Sequence, residues 1–185
     1  KNRDAVIDWA FETTLIDGSL DYLFLNSTAG RGDSVEAVPN ETIFNIDGSI
    51  YLGANNNKFI AYCFAEVAGF SKFGSYTGTG NTSGSIIECG FEPAFVMIKS
   101  TTATGGHLMW DLKRSPFNLM DDIINAAEAD AESNNGIYGI DVLSNGFKIK
   151  NTGANNGTNQ SGTKYVYYAF AENPFVAGGI PTTAR

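Results

Sequence analysis

Glu66 and Glu172 are the side chains whose spacing most invites chemistry, because each closes one of two nearly identical phrases. These are Lys58-Phe-Ile-Ala-Tyr-Cys-Phe-Ala-Glu66 and Lys164-Tyr-Val-Tyr-Tyr-Ala-Phe-Ala-Glu172, preceded by the same Gly-Ala-Asn-Asn loop at Gly53 to Asn56 and Gly153 to Asn156. Two carboxylates brought together could exchange a proton with a substrate or hold a divalent cation. Their repetition argues for a plainer role. A residue kept in both copies of a motif is one the fold needs, so each glutamate is expected to cap its own strand or accept backbone hydrogen bonds there. His107 is the single histidine, and any Ser-His-Asp system would have to use it. The chain has no Gly-x-Ser-x-Gly elbow and no phosphate-cradling loop, and Gly78-Thr-Gly80 lacks a following strand and helix. Cys63 and Cys89 are too few for a disulfide framework or a metal site. No catalytic residue, metal or cofactor is expected.

Binding chemistry has better material. Arg31-Gly32-Asp33 matches a tripeptide read by integrins, although its Gly, Ser and Asp surroundings are what a turn requires. Shallow sugar sites pair an aromatic face with Asp or Asn edges, and Trp9, Trp110, Tyr51, Tyr76 and Tyr138 all lie near such loops. Trp9 and Trp110 fall at corresponding places in the two copies, which favours a core role for both. Specificity belongs where the copies differ: Gly30 to Asn40, Thr101 to Gly106, Asp121 to Gly136 and Gly157 to Gly162. Arg31, Asp33, Asn134, Asn135, Tyr138 and Asn159 are the expected binding residues. Asn-x-Ser/Thr triplets at Asn26, Asn40, Asn81, Asn156 and Asn159 read as loop composition.

The elements that must position these residues are strands. Charged residues make up 17% of the 185, aromatics 12%, and Gly is abundant, a profile that fits an all-β protein. Strand signals bounded by turn formers cover Asp8 to Thr14, Asp21 to Leu25, Ile43 to Ile46, Ser49 to Leu52 and Lys58 to Glu66. They resume at Ile86-Ile87, Ala94 to Lys99, His107 to Lys113, Gly139 to Leu143, Phe147 to Lys150 and Lys164 to Glu172. Asp47-Gly48 and Asn145-Gly146 suit tight hairpin turns. The segment from Phe73 to Gly84 reads as a linker or a loop-bounded strand. Asp121 to Ala131 reads as the one plausible helix, or as a strand followed by an acidic loop. Lys164 to Glu172 puts Tyr165, Tyr167, Ala169 and Ala171 on one face and Val166, Tyr168 and Phe170 on the other. Both faces are apolar, as in a strand buried on two sides.

The expected architecture is an antiparallel β-sandwich of jelly-roll or lectin-like kind built from two homologous half-repeats. Residues 1–76 form the first, 77–176 the second, and 177–185 a C-terminal tail, the two halves making one unit. The second copy opens with Pro93 to Lys99 and the first has no counterpart, so the chain is expected to be a fragment lacking that strand. A net charge of −8 gives no electrostatic footprint for nucleic acid. No apolar run reaches membrane-spanning length, so no membrane insertion is expected.

The phrases Lys1 to Asp4, Tyr22 to Asn26, Ala61 to Tyr76, Gly90 to Lys99, Asp111 to Asn118, Ser144 to Ile149 and Tyr168 to Phe175 carry a resemblance over almost the whole chain. The chain resembles a domain of unknown function found in virion and tail-associated proteins of tailed bacteriophages, often marine ones. The resemblance implies a non-enzymatic structural module of a tail or capsid fibre, at the virion surface, with a host-attachment role. It implies homo-oligomers and other virion proteins as partners, and no catalytic residues to carry over. The alternative is a carbohydrate-binding module for a cell-surface glycan, followed by a glycan-depolymerising enzyme.

Overall fold

The computed structural model describes residues 1–46, 48–102, 105–134, 136–151 and 157–173, with the backbone of 176–177 and 180–181. These residues form strands and no helix. In chain order they are β1 (Ala10–Thr13), β2 (Asp21–Phe24), β3 (Gly32–Asp33), β4 (Ser71–Thr77), β5 (Ile86–Glu88), β6 (Pro93–Ser100) and β7 (His107–Asp111). Then follow β8 (Ile124–Asn125), β9 (Ile140–Leu143), β10 (Gly146–Ile149), β11 (Lys164–Ala171), β12 (Val176–Ala177) and β13 (Ile180–Pro181).

β11 organises the fold, for the reason its alternating sequence suggests. It is flanked antiparallel by β4, from Lys164↔Thr77 to Phe170↔Ser71, and by β6, from Tyr165↔Ser100 to Phe170↔Phe95. With β7 and β8 these strands make a five-stranded sheet in the order β4-β11-β6-β7-β8. One face of β11 presents Tyr165, Tyr167 and Ala169 to the β5-β10-β9 sheet, where Ile87, Phe147, Ile149 and Ile140 meet Val96, Ile98 and Trp110. The other face presents Val166 and Tyr168 to the β1-β2-β3 sheet, packing Ile16 and Leu23 with Phe11, Phe73, Met97 and Phe170. The expected all-β antiparallel sandwich is present, with the five-stranded sheet covered on both sides. Ring pairs lock the layers: Phe147 meets Tyr167 edge-on at 5.5 Å, and Phe11 meets Tyr168 at 5.2 Å. Such pairs add about 0.5–1.5 kcal/mol each beyond the area they bury.

The first phrase of the repeat behaves otherwise. Lys58 to Glu66 is not a sheet strand. Among the described residues its backbone pairs with a neighbouring segment only at its start, where the Arg3 amide donates to the Lys58 carbonyl (2.8 Å) and the Ile60 amide to the Lys1 carbonyl (3.0 Å). Beyond that it runs without turn or bend across the surface, where Phe64 sets its ring against Phe73 and Phe170 and the Ala65 carbonyl accepts from the Ser71 hydroxyl. The same apolar alternation thus gives a fully paired strand in one place and an unpaired one in the other, because context rather than intrinsic preference decides strand formation. Cys63, which corresponds in the two phrases to the buried Ala169, is exposed; it and the buried Cys89 are free thiols. Ile43 to Ile46 and Ser49 to Leu52 are likewise loop and turn.

Two open readings resolve. Asp121 to Ala131 is the strand and acidic loop rather than the helix. Asn125 pairs with Leu108 across β7–β8, and Ile123 bridges Ser133, so two β-branched residues and an Asn side chain bonding the Ala127 amide favour an edge strand and loop. The Phe73 to Gly84 segment is β4 followed by a loop. In the β9–β10 hairpin Gly146 pairs with Leu143, leaving Ser144-Asn145 as the loop, and neither Asn145 nor Gly146 has a positive φ. Gly146 is needed for space: a Cβ there would stand 2.0 Å from the Ile87 carbonyl oxygen. Asp47 and the Gly153 to Asn156 loop lie outside the described residues.

Candidate functional site

The expected binding residues do not form one site. Arg31, between β2 and β3, is held by carboxylates from the turn before β2 and from the ends of β2 and β3. Its guanidinium pairs with Asp17, lies 3.0 Å from Asp21 and 3.9 Å from Asp33. The Ser19 hydroxyl and Arg31 hold the Asp17 carboxyl well below the usual carboxylate range. Asp21 has a fully buried side chain, and burial raises its pKa despite the adjacent guanidinium. The Arg31 amide also donates to the Thr101 carbonyl. Arg31 therefore ties two loops together, while Asp33 stands 81% exposed beside it.

Asn159 faces inward. Its Oδ1 accepts from the Thr79 amide (2.8 Å) and hydroxyl (3.2 Å), and its Nδ2 donates to the carbonyls of Asn81 (2.7 Å) and Asn151 (3.1 Å). Fully buried and fully bonded, it offers nothing to a ligand. Tyr138 packs against the core, and its carbonyl accepts from the Trp110 indole at 3.1 Å. Asn134 is exposed in the same loop as Tyr138, and Asn135 lies outside the described residues.

The two glutamates serve separate corners. Glu66 pairs with Lys72 (2.8 Å) and accepts from the Phe73 amide (3.3 Å), whereas Glu172 pairs with Lys113 (2.7 Å). His107 is sealed inside with no well-formed hydrogen bond to either ring nitrogen among the described residues, only the Leu25 backbone approaching it, and lies directly across the β6–β7 ladder from the equally buried Lys99. Burial pushes the imidazole down to about 3, helped by the Lys99 ammonium and opposed by the backbone of Leu25. Burial also brings Lys99 down to about 8, with its Nζ donating to the Gly105 and Ser27 carbonyls. Neither can touch a solvent-borne substrate without the sheets parting. Among the described residues, no group of three or more His, Cys, Asp or Glu side chains is placed to hold a metal ion.

Three surface features remain. A depression of about 80 Å³ is lined by Glu92, Leu112, Pro116, Phe117, Asn118, Met120 and Val142. That is well below the roughly 300 Å³ of small-ligand sites. Trp9, expected in the core with Trp110, is instead 40% exposed, while Trp110 is fully buried. The amide of Trp9 donates to Asn26 Oδ1 (2.7 Å), Asn26 Nδ2 donates to Asp8 (3.1 Å), and Lys1 Nζ lies 5.5 Å from the indole centroid.

The third feature is the open phrase itself. Tyr62 and Phe64 are 66% and 68% exposed, Ile60 is exposed beside them, and Ile43, Phe44, Ile46 and Ile50 lie exposed in the loops preceding it. The backbone of Ala61 to Phe64 makes no hydrogen bond to the described residues. Sequence reasoning set this segment aside as scaffold because it matches β11. No signal within the phrase itself distinguishes it from β11.

Residues 1–174 match the model of a family described as a domain of unknown function (DUF7483). No curated protein and no solved structure matches the chain.

Proposed function

We propose that this chain, which belongs to the DUF7483 family, is a non-enzymatic structural module of a tailed-phage virion, part of a tail or capsid fibre with a host-attachment role. The observation that carries the reading is the exposed apolar segment from Ala61 to Phe64, whose backbone has no hydrogen-bond partner among the described residues. Exposed strand edges of this kind are templates for pairing with another chain, and natural proteins shield them unless pairing is their use. A stacked β core with sealed ionisable groups suits a rigid building block, and the net charge of −8 suits a displayed surface. The resemblance to phage virion proteins supplies the setting. The test is to purify particles of the phage that encodes the chain and probe them by mass spectrometry and immunogold labelling. Labelled fibres or tail tips are expected; recovery solely in the particle-free fraction overturns the reading.

Trp9 favours a second reading, a shallow carbohydrate site. An exposed indole beside Asp8 and Asn26 has the apolar face and polar edge that a sugar ring stacks against. Glycan-array binding that disappears in Trp9→Ala while the fold survives would support it; no binding to any surface polysaccharide would exclude it.

A further inference from the structure

We infer that two copies of this chain pair through Lys58 to Glu66, antiparallel and centred on Tyr62. The inference deepens the assembly reading above by naming the partner of its open segment. It begins with hydrogen bonding. The Lys58 carbonyl and the Ile60 amide face the Lys1 to Arg3 segment, which bridges Phe59 at Asn2. Strand alternation then turns the amides and carbonyls of Phe59, Ala61 and Cys63 to the opposite edge. Among the described residues that edge has no backbone partner from Phe59 to Phe64, and Ala65 gives its carbonyl to the Ser71 hydroxyl at 2.9 Å.

The sequence on this edge complements itself. Folded back about Tyr62, it sets Lys58 against the partner's Glu66, Ile60 against the partner's Phe64, and Tyr62 against the partner's Tyr62 on one face. Ala61 falls opposite the partner's Cys63 on the other face. A twofold interface requires such self-complementarity. Opposite charges at both ends also disfavour a one-step slip, which would place Lys58 beside an apolar residue. Glu66 already holds Lys72, so the partner's Lys58 would join an existing pair rather than meet a bare carboxylate. The closely similar phrase in β11 shows that this composition accepts strands on both edges.

The register makes a sharp experiment possible. Tyr62 and the partner's Tyr62 form a non-hydrogen-bonded pair with Cα atoms about 4.5 Å apart, within disulfide reach. Cys63 and the partner's Cys63 are diagonal and beyond the ~7 Å limit. In the full chain, Tyr62→Cys in a Cys63→Ser background is expected to form covalent dimers under copper–phenanthroline, while the wild-type Cys63 thiols are not. Sedimentation should show a concentration-dependent dimer. Lys58→Glu is expected to weaken it about tenfold, and the swap Lys58→Glu/Glu66→Lys to restore it, which separates loss of pairing from loss of fold. A monomer at all concentrations overturns the inference, as does cross-linking through Cys63, or a dimer indifferent to all these changes. Any of these would leave the virion reading intact, because that reading falls only if the chain is absent from particles.

Discussion

Protonating His107 is expected to destabilise this protein by an amount the structure allows to be worked out. The ring is fully buried with no well-formed hydrogen bond to either nitrogen among the described residues, and its pKa is pushed from the usual 6.5 to about 3. The unfolded chain therefore takes up a proton near pH 6.5 that the native state refuses until about pH 3. Because the folded pKa is the depressed one, the stability is complete above 6.5 and is lost as pH falls toward 3. The slope approaches ~1.4 kcal/mol per pH unit, and the whole window is worth on the order of 5 kcal/mol. That compares with a typical domain stability of about 5–15 kcal/mol. Between pH 6 and 4.5 the loss should be roughly 2 kcal/mol. Asp17 and Asp111, both held low, lose their contribution at still lower pH, and Asp21, raised by burial, acts with the opposite sign. Comparison with His107→Leu cancels these carboxylates. Urea unfolding at pH 7, 6, 5 and 4.5 is expected to give midpoints that diverge, the wild type falling while the variant holds. Parallel curves for the two proteins would refute the reasoning, since another group would then carry the pH dependence.

Four other outcomes follow from the same structure. Lys99, brought down to about 8, costs stability while charged; the wild type is expected to gain roughly 1–2 kcal/mol between pH 7.5 and 9.5, and Lys99→Met to lack that gain in urea titrations. Asn159→Ala strands the Thr79 amide and the Asn81 and Asn151 carbonyls in a buried site, so a loss of about 2–4 kcal/mol is expected by chemical denaturation. Gly146→Ala would drive a methyl into the Ile87 carbonyl, a backbone atom unable to swing aside, and is expected to cost about 2 kcal/mol or more by the same assay. Trp110→Ala is expected to cost about 3–5 kcal/mol, whereas Trp9→Ala should cost under about 1 kcal/mol in parallel thermal melts.

Much of the sheet scaffold was legible because alternation and turn residues act locally. β11, β6, β10 and the two apolar faces of β11 follow directly from that pattern. What local pattern could not supply was the neighbour. Lys58 to Glu66 carries the same alternation as β11, yet among the described residues no strand pairs with Ala61 to Phe64, so the phrase stays open and Cys63 stays exposed. The same lack of context misplaced Trp9, whose match to Trp110 concealed a surface position. Among the expected site residues, Arg31 and Asp33 were found together, but the carboxylates that hold Arg31 come from a turn and the start of β2, which share no motif with it. Asn159 was misjudged because an Asn in a Gly/Thr loop looks alike whether it faces water or buried carbonyls. The burial of Lys99 opposite His107 depends on β6–β7 register and on a covering sheet, neither of which is written in either strand.

Amide hydrogen exchange resolved to single residues tests the central contrast most directly. In dilute protein the amides of Ala61 to Phe64 are expected to exchange almost as fast as in an unfolded chain, while those of Tyr165 to Ala169 are protected to near the global stability. Raising the concentration should slow Ala61 and Cys63, which face the partner, and leave Tyr62 little changed. Strong protection of Ala61 to Phe64 in dilute monomer would contradict the account, because the segment would already have found its strand partners within the chain.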